Sequence, residues 1–343
     1  MEKISSSDTT VNNRRIASVI GCFIADAAAQ PLHWNYDLKK LDEIVGDKPM
    51  EFWNPSRNPF YTLPTGRNTV YGDHIMSLLK SVYTAKGFSA EEYAKELVNM
   101  FGPDSDYEKQ PLNAIVVDKD VKKKLPIEGP WRSACVKYFL QNHLGDGQEN
   151  NLDKMKDMHA VVPVVPIVAV YAGKENMLEM VEASIRVVLT SQKAVSYGLA
   201  AARILEQYIL YGEKADNALD VVIKELKNPE RKNPTPLDAT IADEFQAVIN
   251  AKDIPHRKAA TEVFKNQCYV PEAFQSTLHC LINTTDYCDA IQTTMRAAGC
   301  TSRCSYVGAC LAARNGIECI PDDWKMKTNC FDSTLKMMQE LCK

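Results

Sequence analysis

At 343 residues the chain can bury a large core, and its length allows one large domain or two ordinary ones. Hydrophobic residues make up 45% and charged residues 24%, the balance of a soluble globular protein. A net charge of −4 argues against nucleic acid or an anionic membrane as partner.

Residues 1–13 read as a flexible N-terminal segment; the first eight are polar and lack the apolar stretch of a signal peptide. From 12 to 29, Ile16, Val19, Ile20, Phe23, Ile24 and Ala27 recur at the spacing of an amphipathic helix. Proline and glycine then collect at 49–66, which reads as a surface connection. Residues 71–85 return to helical spacing with Ile75, Leu78, Leu79 and Val82. Ser89, followed by Ala90, Glu91 and Glu92, has the pattern of a capped helix start. A second Pro/Gly-rich connection covers 102–131, and the alternating pattern at 114–117 inside it is too short to overturn a helical reading. The most apolar run, 159–173, falls short of the ~20 residues needed to cross a bilayer and is broken by Pro163 and Pro166. It reads as a buried helix with a proline-shaped start.

Helices are expected over 177–189, 196–211, 216–226, 240–251 and 271–282, with a third connection at 228–236. Residues 307–315 end at Gly316, a C-cap position, and 332–342 close the chain. Nothing marks a domain boundary, so 14–343 reads as one all-α domain. Eleven cysteines without a secretory signal imply a reducing, cytoplasmic setting, and none has zinc-site spacing. Cys300 and Cys304, four apart, read as two core thiols rather than a metal or redox pair.

Four motifs carry a family resemblance. Residues 21–34 (GCFIADAAAQPLHW), 71–76 (YGDHIM), 187–191 (VVLTS) and 297–303 (AAGCTSR), the last followed by 307–324, are similar to the ADP-ribosylglycohydrolase family. Pro-Leu-His-Trp and Tyr-Gly-Asp further resemble the branch holding the jellyfish lens J-crystallins and selenoprotein J, over residues 14–328. The resemblance implies a compact multi-helix orthogonal bundle. In active members it also implies two Mg²⁺ ions held by Asp and Thr oxygens.

Against that pattern this chain departs at every site. Asp26 matches the family Asp of the opening helix, while His33 stands near the family Glu. In the second motif only Asp73 survives; Gly72 and His74 replace an Asp and a Thr. Ser191 replaces a pocket-wall His. At the last motif the family's two Asp positions fall on Gly299 and Thr301, or one residue later on Cys300 and Ser302. A hard dication needs anionic oxygens at close range, and these residues do not supply them. Arg303 adds a charge objection, since a guanidinium ~4 Å from a dication costs about 8 kcal/mol at an effective dielectric near 20. It either points inward, beside Asp26 or Asp73, or stands outward as a solvated charge. Asp26 is expected to bond backbone within the bundle, His33 to lie at a helix end and Asp73 to cap the helix after it.

The resemblance thus implies a structural, water-soluble eye-lens protein on an inactive scaffold, with no catalytic residue, metal or cofactor. One alternative is a Mg²⁺-dependent ADP-ribosyl hydrolase with Asp26 and Asp73 as ligands. Another is a non-catalytic binder of an ADP-ribose-like molecule. Self-association at high concentration is compatible with each.

Overall fold

Nearly all regular structure is helical in the computed structural model, which describes residues 9–116, 120, 124–145, 156–265 and 268–343. The first apolar stripe forms α1 (Thr9–Ala29), followed by α2 (Leu38–Val45). A two-residue strand, β1 (Tyr61–Thr62), precedes α3 (Val70–Ala85) and α4 (Ala90–Phe101), and pairs in parallel with β2 (Ile127–Glu128). After α5 (Ala134–Leu144) come two 3-10 turns, Met158–Ala160 and Val162–Val164, and α6 (Val165–Tyr171). Pro163 and Pro166, which lack an N–H, sit in the opening turns, where no intrahelical donor is needed. The chain continues through α7 (Met177–Val188), α8 (Gln192–Tyr211), α9 (Ala218–Lys227), α10 (Asp238–Asn250) and the single turn α11 (His256–Lys258). It ends with α12 (Glu272–Asn283), α13 (Tyr287–Arg296), α14 (Thr301–Asn315), α15 (Asp322–Lys327) and α16 (Phe331–Leu341).

At the centre, α1 crosses α14 at backbone distance. A Cβ on Gly308 would lie 2.5 Å from the Gly21 carbonyl oxygen and 2.6 Å from Ala25 Cβ. Tyr287 donates to the same Gly21 carbonyl at 2.7 Å. Glycine at both positions lets two helices share one layer of core without a side chain between them. One apolar cluster extends from Val11 in α1 to Met338 in α16. No helix among the described residues is long and apolar enough to cross a membrane.

Two expectations change. Helix α1 begins at Thr9 and already buries Val11, so the boundary at 13/14 falls inside a helix; residues 1–8 lie outside the described residues. Residues 114–116 form no strand, in keeping with the helical reading, and position 117 is not described; a short strand pair joins 61–62 to 127–128. The connections at 49–66 and 102–131 are not confined to the surface, since Tyr61, Tyr107 and Asn113 are buried. Buried loop backbone must find partners inside the protein. Asn113 Nδ2 donates to the Tyr107 and Pro130 carbonyls, and the buried Arg132 guanidinium donates to the Phe101 and Asn113 carbonyls.

Candidate functional site

Asp26, on the inner face of α1, is completely buried. Its carboxylate accepts from Thr69 N–H and Thr69 Oγ1 at 2.7 Å each and from Asn68 Nδ2 at 3.0 Å. Thr69 in turn caps α3 by accepting from Tyr71 N–H, and its hydroxyl lies 3.2 Å from Thr301 Oγ1. Asp26 therefore ties α1 to the start of α3 and to α14. Burial raises its pKa, opposed by the hydrogen bonds from Thr69. Gly72 packs onto this junction: a Cβ there would stand 2.6 Å from Asp26 Oδ2. A side chain at position 72 has no room beside Asn68 and Asp26 in this arrangement.

The cap of α3 is Thr69, so Asp73 does not serve as one. It lies in the first turn of α3, where its carboxylate accepts from Tyr107 O–H at 2.7 Å and pairs with Arg67 at 3.5 Å. Burial, opposed by Arg67, raises its pKa to about 6. Asp73 lines a groove of about 530 Å³ together with Arg67, Lys80, Asn329 and Lys336. Three cations thus border the one acid in that groove.

His33 ends the 3-10 turn that follows α1 and is fully buried. Nδ1 lies 2.6 Å from Tyr61 Oη, and Nε2 lies 2.9 Å from Cys300 Sγ. Cys300 stands at the N-terminal boundary of α14, and Cys268 meets the Tyr36 hydroxyl. Cys304 points elsewhere, its thiol toward the Ile291 carbonyl. Both are wholly buried, as expected of two core thiols, and they face different neighbours because Cys300 precedes the helix and only Cys304 lies within it.

His74 forms a separate buried chain. Tyr93 O–H contacts His74 Nε2 at 2.6 Å, and His74 Nδ1 lies 2.8 Å from His159 Nδ1. Burial lowers both imidazole pKa values, that of His159 to about 3. A histidine whose folded pKa is depressed contributes stability above its unfolded pKa of ~6.5 and loses it as pH falls below that value. From pH 7 to pH 5 buried His159 removes about 2 kcal/mol, and His74 acts in the same direction. Asp73 and Asp157, both raised to about 6 by burial, act in the opposite direction. Each returns about 1 kcal/mol over the same interval. Urea unfolding is therefore expected to show lower stability at pH 5 than at pH 7, since His256, also lowered to about 3 by burial, adds to the histidine side of this balance. His159→Phe should flatten that dependence, and an unchanged pH profile would show that the pair does not control it.

Ser191 is the N-cap of α8, accepting from Ala194 N–H at 3.0 Å. Gly299 packs on α13, where a Cβ would meet the Thr294 carbonyl oxygen at 2.3 Å. Ser302 is buried, with no hydrogen-bond partner for Oγ among the described residues. Arg303 points inward, donating to Ser276 Oγ at 3.3 Å and to the Ala298 carbonyl at 3.2 Å rather than joining the network around Asp26. The predicted positions thus divide among separate clusters. Among the described residues, no three His, Cys, Asp or Glu side chains are grouped to hold a metal ion. With Asp26 engaged by three donors and Asp73 paired with a guanidinium, the donor set does not fit two Mg²⁺ ions.

Tyr36, Tyr61, Thr69, Tyr107, His159 and Cys268 belong to these clusters and were not singled out by sequence. Only Thr69, a hydroxyl one residue before an apolar helical pattern, had a local signal.

The sequence model of the ADP-ribosylglycohydrolase family matches residues 7–343. The chain is 30% identical over 339 residues to Crystallin J1A of Tripedalia cystophora, covering 98% of each chain. It is 31% identical over 324 residues to Crystallin J1B of the same animal, covering 94% of each. A solved structure described as an ADP-ribosylglycohydrolase-related protein complex superposes with a TM-score of 0.61 at 13% identity, covering 97% of this chain and 98% of that one. That last likeness concerns the fold.

Proposed function

The chain belongs to the ADP-ribosylglycohydrolase family, and from that premise we propose that it is a structural, water-soluble lens protein of the crystallin kind on a scaffold that no longer hydrolyses ADP-ribosyl bonds. The observation that carries this reading is the internal use of Asp26: a carboxylate bonded to Thr69 and Asn68 holds helices together and leaves no open oxygen pair for a cation. Similarity along nearly the whole length to two crystallins supports the lens role. Mixed surface charge with a net −4 is compatible with high concentration in a cytoplasm, and self-association there is part of the proposal.

Two measurements test it. The protein should be a dominant component of lens extract and scarce in other tissue. Incubated with ADP-ribosylated substrate and Mg²⁺, it should release no ADP-ribose above a metal-free control, and release above that control would establish the hydrolase reading. Mg²⁺ alone should shift the melting temperature no more than an ionic-strength control does, because a ligand stabilises only a native state that binds it.

The groove along Arg67, Lys80 and Lys336 favours a second reading, a non-catalytic binder of an ADP-ribose-like molecule. Saturable thermal stabilisation by ADP-ribose, lost in Arg67→Ala with Lys336→Ala, would establish it.

A further inference from the structure

The groove between α3 and α16 is tied at both ends. At one end Cys330 Sγ donates to Asn68 Oδ1 at 3.1 Å, and Asn329 N–H donates to the Gly66 carbonyl at 3.1 Å. At the other, Tyr83 O–H donates to Glu340 Oε2 at 2.5 Å. The two helices therefore run side by side in the same direction. From Cys330 to Glu340, at ~1.5 Å per residue, the walled stretch is about 15 Å long. Its volume of about 530 Å³ falls within the ~300–1,000 Å³ of small-molecule sites. Phe23, Met76 and Met337 give it an apolar floor.

Cations are spread along this length rather than gathered at one point. Arg67 stands at the Asn68 end, while Lys336 follows Cys330 on α16 and Lys80 follows Asp73 on α3, each by roughly 10 Å of helix. Both helices also begin at the Arg67 end, so the positive ends of their dipoles lie there. Against three cations the groove carries one acid, Asp73, whose carboxylate already accepts from Tyr107 O–H at 2.7 Å and pairs with Arg67 at 3.5 Å. Lys80 and Lys336 are exposed. A compact anion could meet only one end of such a row. A chain of linked phosphates presents a negative group at each step, and it suits both the planar fork of Arg and the point charge of Lys.

We propose that the α3–α16 groove binds linear phosphate chains, either a free polyphosphate or the triphosphate of a nucleotide, with Arg67, Lys80 and Lys336 meeting successive phosphates. This rests on the second reading above, that the groove takes an anionic ligand, and assigns recognition to the phosphate chain rather than to ADP-ribose as a whole. Affinity then grows with phosphate number. Because two of the three cations are exposed, it also falls with salt, as the Debye length shortens from ~10 Å at 0.1 M to ~3 Å at 1 M.

The test is calorimetric titration of the full chain in EDTA with phosphate, pyrophosphate, tripolyphosphate, ATP and ADP-ribose at matched ionic strength. Affinity should rise about tenfold from phosphate to pyrophosphate and again to tripolyphosphate. Equal binding of ATP and tripolyphosphate would identify the bare chain as ligand, and tighter binding of ATP a nucleotide; both support the proposal while that order holds. Lys80→Ala with Lys336→Ala should weaken tripolyphosphate by about tenfold, whereas Lys214→Ala with Lys252→Ala, exposed and outside the groove, should not. Asp73→Asn should tighten it about fivefold by removing a repelling charge beside Arg67. The proposal fails if affinity does not grow with phosphate number, or if both lysine pairs weaken binding alike. ADP-ribose binding without that order would leave the second reading standing and sink this one. Ordered binding of phosphate chains without ADP-ribose would do the reverse, and no binding at all would sink both. The order is read on wild type, so it does not depend on a variant folding.

Discussion

Gly308→Ala is expected to destabilise the protein by about 3 kcal/mol, although alanine is the better helix former by about 1 kcal/mol. The steric contribution exceeds the propensity gain because the added methyl would meet the Gly21 carbonyl oxygen at 2.5 Å and Ala25 Cβ at 2.6 Å. Those atoms belong to helix backbone and to a side chain with no rotamer, so neither can swing aside. The relief available is to part α1 from α14, which also stretches the Tyr287 bond to Gly21. Helix interiors are packed densely enough that such a separation disturbs neighbouring contacts as well. Gly145→Ala provides the comparison: nothing lies within 4 Å of its Cβ, and only a left-handed φ of +87° opposes it. That change should cost about 1 kcal/mol. Equal losses at 145 and 308 in urea unfolding would mean that the close crossing is not what requires glycine.

Helix content was legible because it rests on local spacing. The apolar stripe of α1, the Ser89 cap and the Gly316 stop each depend on residues within a turn or two of one another. The start of α1 was misplaced because polar residues at 9–13 conceal a helix held by a single buried Val11. The site was legible only as a set of substitutions. Asp26, expected to bond backbone within the bundle, does accept from the Thr69 backbone N–H. His33 does end a short helical turn. That Asp73 would face Tyr107, that His74 would meet His159 and that His33 would meet Cys300 required contacts between residues 34, 85 and 267 positions apart. No local pattern encodes such pairs. Cys268 is the extreme case: nothing around it in sequence distinguishes it from the other cysteines, and its contact with Tyr36 spans 232 positions.

Asp26→Ala is expected to cost about 4 kcal/mol, more than any single change at the groove. Removing the carboxylate leaves the Thr69 N–H and the Asn68 amide with one acceptor fewer in a dry interior, where each orphaned donor costs about 1–3 kcal/mol. Thr69 Oγ1 can turn toward Thr301, 3.2 Å away, so part of the network survives. Asp26→Asn keeps the volume but offers an NH₂ where one oxygen accepted, and should cost about 3 kcal/mol. Asp73→Asn should cost under about 1 kcal/mol, because Asp73 borders the groove and its Arg67 partner is partly exposed. The comparison separates the two uses of a carboxylate at this cleft. Were Asp26 kept to bind a dication, Asp26→Asn would leave stability in chelator nearly unchanged and abolish only a Mg²⁺-dependent increment. Were it kept as a structural tie, the loss should be the same in EDTA and in Mg²⁺. The urea midpoint of Asp26→Asn in those two buffers decides between them, and equal losses are the expected result.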